Sequence, residues 1–311
     1  MPDGFGEFLV WNDENETTLR VSLAGNTMPV TPPDDVSDSV RSALRARSGR
    51  GEADLEGAAR LGDRIYLIGS HGRNSSGERR ERREQLIALE VAAKGDEALV
   101  RQVPETRVYG ELISALREQI GLLGPVLGPN GDARDAMRAP ERSGLNIEGL
   151  TADPDGGTLL IGLRSPLTSD GHAIVVPLSN PGEVVALAGT RARLGEPIPL
   201  DLDNRGVRSL ERMPDGSGYL VLAGPTGDGP GFELFAWAGP GSQEVAKLSG
   251  FTEALHRLPD FRPEGMVVHP AGTELLLISD DGGRLVGFNA CKDAPPEQRS
   301  FRMLRLPLRA G

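Results

Sequence analysis

Residues 212–221, RMPDGSGYLV, are nearly repeated by the first ten residues of the chain, MPDGFGEFLV. An interior phrase that recurs at the start marks a repeating unit, and such self-similarity decides the fold before any single element is assigned. Four segments carry the fuller form of the unit. They read DLEGAARLGDRIYLIGSHGR from Asp54, NIEGLTADPDGGTLLIGLRSP from Asn146, SLERMPDGSGYLVLAGP from Ser209 and RPEGMVVHPAGTELLLISDDG from Arg262. Each has a short apolar word with an aligned glutamate (Glu56, Glu148, Glu211, Glu264), a turn of Pro, Asp and Gly, and then a strongly apolar strand.

Each unit continues with a third apolar run: EQLIALEV from Glu84, HAIVVPLS from His172, FELFAWA from Phe232 and RLVGFNA from Arg284. A fourth run follows in most units, such as ALVRQV from Ala98, EVAKL from Glu244 and SFRMLRLPL from Ser300. Short runs rich in Val, Ile, Leu and aromatics, separated by Gly, Pro, Asp and Asn, are strand and hairpin signals. Four strands per unit at this spacing predict an all-β chain, a β-propeller of five four-stranded blades, with six as the alternative. The blades fall near 1–32, 52–104, 144–201, 205–249 and 261–308, in one domain covering 1–311. MPDGFGEFLV matches the turn and second strand of a blade, and WNDENETTLRVSLAG supplies its loop and third strand. The first blade therefore lacks its inner strand, and a start upstream of Met1 is expected to supply it.

Two amphipathic helices interrupt the pattern, at 34–48 and 110–123. In the first, Val36, Val40, Ala43 and Leu44 share a face; in the second, Leu112, Leu116 and Ile120 do. Both link a fourth strand to the next first strand, which places them on the channel-mouth face. The GPNGDARD run after the second helix argues for an insertion rather than a sixth blade.

Composition bounds the partners. The net charge of -11 leaves no basic stripe for nucleic acid and no attraction to an anionic membrane. No apolar run approaches the roughly 18 residues of a spanning helix, so the chain reads as soluble; the expected partner is a small-molecule ligand at the channel mouth, and the expected assembly a monomer. Cys291 is the single cysteine, with no second thiol for a disulfide or a redox pair. As written the chain reads as cytoplasmic; an upstream start would make room for a signal peptide and a periplasmic address.

In a propeller, first strands line the channel and second strands run antiparallel to them. The start of strand one and the end of strand two then emerge together at the channel mouth. That geometry gathers Asp54, Glu56, Asn146, Glu148, Glu211, Glu264 and Asp280, oxygen donors suited to Ca²⁺ or another hard cation. It also gathers Arg73 and Arg164, planar forks for a phosphate or carboxylate, with His71 or His172 as proton carrier. A plainer reading stands beside both. The repeated glutamates also suit blade-to-blade salt bridges with Arg73, Arg164, Arg208 and Arg262, repeated because the blade is repeated. The DPDGG at Asp153 lacks the spaced acceptors of an EF-hand and reads as a turn; no nucleophile elbow, His-Glu-x-x-His or phosphate-binding loop occurs.

The words DLEG with YLIGSHGR, NIEGL with LLIGLRSP, PEGM and NDENETTLRVS together resemble the uncharacterised bacterial family called domain of unknown function 3616. That resemblance implies a propeller and no particular reaction. More distantly the layout is similar to calcium-dependent lactonase and phosphotriesterase propellers and to esterase-like phytase domains, which implies a metal on Glu56, Asn146 and Glu148. The expected function is a metal-dependent hydrolase of a small phosphoester or lactone-type ester at the channel mouth, with Ca²⁺ as its cofactor. The alternative is a non-catalytic propeller binding a small anionic ligand or a partner protein on the same face.

Overall fold

In the computed structural model of the chain, the described residues are 53–94, 97–102, 107–123, 138, 144–153, 155, 157–258, 260–295 and 298–308, with the strands 8–10 and 20–22. The expected helix 34–48 and the GPNGDARD run lie outside them. The strands are β1 (Phe8–Val10), β2 (Arg20–Ser22), β3 (Leu55–Leu61), β4 (Arg64–Gly69), β5 (Leu86–Lys94), β6 (Glu97–Gln102), β7 (Asn146–Asp153), β8 (Thr158–Ser165), β9 (Ala173–Leu178) and β10 (Ile198–Leu200). They continue as β11 (Gly206–Arg212), β12 (Tyr219–Gly224), β13 (Glu233–Trp237), β14 (Val245–Lys247), β15 (Pro263–Val268), β16 (Glu274–Ser279), β17 (Leu285–Val286), β18 (Asn289–Ala290) and β19 (Met303–Pro307). Among the described residues three α-helices join them: α1 (Leu112–Ile120), α2 (Pro181–Ala186) and α3 (Ser249–His256).

The sheets follow the repeat. β3 to β6, β7 to β10 and β11 to β14 are four-stranded meanders in chain order, and β1 pairs with β2. Tight turns make this connectivity possible, as where Gly62 takes φ 62° in the two-residue link between β3 and β4. The last sheet departs from expectation. Its order is β15-β16-β19, so SFRMLRLPL supplies the third strand, not the fourth. RLVGFNA instead folds on itself as the β17–β18 hairpin around Gly287 at φ 63°. The segment is too short, and turns too early, to cross the sheet.

The inner strands β3, β7, β11 and β15 are successive neighbours, and apolar layers fill the spaces between sheets. Ile68, Leu86, Ile147, Leu159 and Val176 belong to the layer between the first and second full sheets. Leu160, Val175, Leu210, Val221 and Trp237 form the next, and Leu222, Leu234, Met266, Leu275 and Leu277 the third. Each fully buried aliphatic side chain contributes about 1.5–3 kcal/mol relative to exposure.

Helix α1 packs Leu112, Ala115 and Leu116 into the first of these layers. It does not stand over the strand ends as expected. Tyr109, just before it, bridges Leu86 at the start of β5. Gln119, at its other end, bonds the Ala192 carbonyl at 2.6 Å and accepts from the Leu194 N–H. Leu194 bridges Leu178, the far end of β9, so the helix runs down the flank. Helices α2 and α3 were not foreseen: both are short, and Pro181 fits the first turn of α2 because its missing N–H has no partner there anyway.

Candidate functional site

One irregularity recurs at the same place in all four inner strands. The register slips between Leu55 and Gly57, Ile147 and Gly149, Val207 and Ser209, and Pro263 and Gly265. The bulged residues are therefore Glu56, Glu148, Arg208 and Glu264. A bulge re-aims a side chain, and the residue after it must be small. A Cβ on Gly57 would lie 2.8 Å from Leu150 Cβ, and one on Gly149 would lie 2.6 Å from Val207 Cγ1. The Glu-Gly pair is thus a bulge plus a close approach of neighbouring inner strands.

Arg208, and not Glu211, occupies the fourth bulge. Pairing Val-Arg-Ser-Leu with Ile-Glu-Gly-Leu gives this register; the expected alignment, built on the Glu of SLER, was three residues out. Arg208 Nε lies 2.8 Å from one Glu148 oxygen, and its Nη2 donates to Glu264. The other Glu148 oxygen accepts from Arg164 Nη1 at 2.9 Å. Arg208 is 4% exposed and the Glu148 side chain 5%. Burial opposes the charge on Arg208, but Glu148, Glu264 and Glu56 outweigh it and hold its pKa above the ordinary arginine value. Phe232 lies against the guanidinium, 5.5 Å from ring centre to Cζ.

The remaining candidates are dispersed. Glu211 pairs with Leu220 deeper along β11. Part of the residue reaches the surface, yet burial of the carboxyl pushes its pKa up to about 8. Asp54, at φ 51°, accepts from Ser70 Oγ and pairs with Arg83 at 3.1 Å. Asn146 is buried at the head of β7 opposite Ser165. His71 is 2% exposed at φ 55°, with Nδ1 2.8 Å from the Gly69 carbonyl, so that nitrogen carries the proton. Arg73 donates to the Gly77 carbonyl of its own loop at 2.9 Å. His172 sits in the β8–β9 loop, its N–H on Thr168 Oγ1 at 2.9 Å. No hydrogen bond or ion pair among the described residues joins it to Glu148. Asp280 is exposed and caps a turn through the Gly282 N–H at 2.8 Å.

Its neighbour Asp281 is the buried member of that pair. It takes Arg302 in a two-pronged contact, with Nη2 at 2.7 Å and Nε at 2.9 Å, and Ser279 Oγ at 2.9 Å. Burial would raise its pKa; the Arg302 and Ser279 hydrogen bonds prevail and lower it. Among the described residues no three His, Cys, Asp or Glu side chains converge as metal ligands do.

No described helix is long and apolar enough to cross a membrane. No curated protein matches the chain. Among solved structures, the chain is similar to the β-propeller domain of Myceliophteria thermophila Cps50 (Swd1), at 12% identity and a TM-score of 0.32, over 90% of this chain and 92% of that one. The chain belongs to the family described as a protein of unknown function (DUF3616), which matches residues 111–285, more than half of its length.

Proposed function

We propose that the chain is a five-bladed β-propeller and a non-catalytic binding module, whose mouth face receives a basic segment of a partner protein. One observation carries the reading. Both oxygens of Glu148 face guanidinium nitrogens, at 2.8 and 2.9 Å, and Glu264 is held by the same Arg208. A cation ligated there would have to displace an arginine from a buried pair, and an anion would have to displace a carboxylate. The ion pairs therefore serve as a girdle joining three inner strands, which leaves recognition to the rim. The rim exposes carboxylates at the mouth-end loops, among them Asp170, Asp201, Asp228, Asp260 and Asp280. With a net charge of -11, they favour a cationic partner and faster encounter with it.

The test uses calorimetric titration with a lysine decapeptide and, separately, with Ca²⁺. Peptide binding that weakens with salt and with Asp228→Asn plus Asp280→Asn supports the module. Stoichiometric Ca²⁺ binding that Glu148→Gln abolishes would overturn it in favour of a metal-dependent hydrolase.

A further inference from the structure

The loop between β12 and β13, residues 225–231, reads PTGDGPG. A Cβ on Gly227, Gly229 or Gly231 would meet nothing within 4 Å, so no packing requires these glycines. Gly229 and Gly231 do use backbone conformations that other residues avoid, at φ 145° and 108°. What holds the loop is three arginines reaching its carbonyls. Arg208 Nη1 lies 3.5 Å from the Pro225 oxygen, Arg164 Nε 3.0 Å from that of Thr226, and Arg205 Nε 2.6 Å from that of Gly231. Arg164 Nη2 also approaches Asp228, 93% exposed, at 3.7 Å.

Two of these arginines are those that clamp Glu148. Arg164 splits its fork between that carboxylate and the loop, and both ends of the loop rest on Arg208. A Cβ on Gly224, at one end, would lie 2.7 Å from Arg208 Cγ, and Phe232, at the other end, lies against the guanidinium. We infer that residues 225–231 form a strap latched over the Glu148–Arg208 pair by Arg164, and that the buried pair becomes accessible only when the strap swings away. The inference deepens the binding-module reading, on which it rests for its purpose: a basic segment that competes for the rim carboxylate Asp228 would draw it from Arg164 and open the strap.

Substituting Arg164 by Lys tests it without a partner. Lysine keeps a positive charge for Glu148 but lacks the fork that spans carboxylate and carbonyl together. Two readouts apply, the backbone ¹⁵N order parameters of Gly227 and Gly229, and the rate at which phenylglyoxal modifies Arg208. In the unsubstituted protein the order parameters should sit near the rigid value of about 0.85, and in the variant fall below about 0.6. The modification rate should rise about tenfold, the weight of one or two lost hydrogen bonds. Asp228→Asn, which leaves both buried pairs intact, should give a smaller change in the same direction. Unchanged order parameters in Arg164→Lys would overturn the latch. A loosened loop with Arg208 still unreactive would overturn its role as a cover. Peptide titration separates these outcomes from failure of the binding module, because the strap measurements contain no ligand.

Discussion

Arg208 crosses from β11 to hold Glu148 of β7 at 2.8 Å, with both groups almost wholly buried. Removing one partner of such a pair strands the other charge, which costs about 3–5 kcal/mol, whereas replacing both by apolar groups is often neutral. Arg208→Met should therefore be strongly destabilising, since it leaves the buried Glu148 with Arg164 alone and cuts the link from β11 to Glu264. Adding Glu148→Gln should restore about half of the loss. Urea denaturation of the single and double variants checks this; additive losses would mean that the pair is not coupled.

Glu211 gives the protein a pH-dependent stability of identifiable sign. Its carboxyl has a pKa of about 8 in the folded state, against the ordinary 4.5. Between these values the folded chain keeps a proton that the unfolded chain has lost. Its contribution is thus fully present below about pH 4.5, fades as the pH rises and is gone above about pH 8. Glu211→Gln should flatten that slope and be more stable than the parent at pH 8.5. After discounting for its partial exposure the gain is on the order of 2 kcal/mol. Thermal midpoints measured from pH 5 to 9 decide it.

Much of this was legible in the repeat, because strand length and turn chemistry are local. YLIG, LLIG, YLVL and LLLI each became the second strand of its sheet, and the Glu-Gly word marked three of the four bulges. Arg208 was hidden by its own chemistry. Its blade replaces Glu-Gly by Arg-Ser, so a search keyed on glutamate slid to Glu211. Aligning YLVLAG with LLIGLR first would have fixed the register. The fate of LVGFNA was not readable at all, since whether a short apolar run crosses a sheet or closes on itself depends on which later strand competes for the edge, here β19.

Asp281 acts in the opposite direction to Glu211. Arg302 and Ser279 lower its pKa, so the stability it contributes is present above the ordinary aspartate range and is lost as the pH falls through the depressed value. Asp281→Asn removes the charge while Arg302 stays partly buried, and should cost about 3 kcal/mol. The loss should be large at pH 7 and shrink toward pH 2. A loss independent of pH would show that the packing of this side chain, and not its charge, is what matters.

The glycine after each bulge sets how closely the inner strands approach, and the sheets differ in a way that can be measured. At Gly149 a methyl group would sit 2.6 Å from Val207 Cγ1 and 3.2 Å from the Gly162 Cα, both on inner or adjoining strands with no room to retreat. At the equivalent place in β11 the chain already carries Ser209, half-buried, so that gap is wider. Gly149→Ala should therefore force β7 and β11 apart and cost about 1–3 kcal/mol, as overpacking does. Because Glu148 precedes it, the shift should also lengthen the contact between Arg208 and Glu148. Ser209→Ala, by contrast, should stay within about 0.5 kcal/mol of the parent, as substitutions away from special features do. Chemical denaturation of the two variants side by side makes the comparison. Equal losses at the two positions would mean that the strands are not spaced by these residues, and that the repeated Glu-Gly word serves the bulge alone.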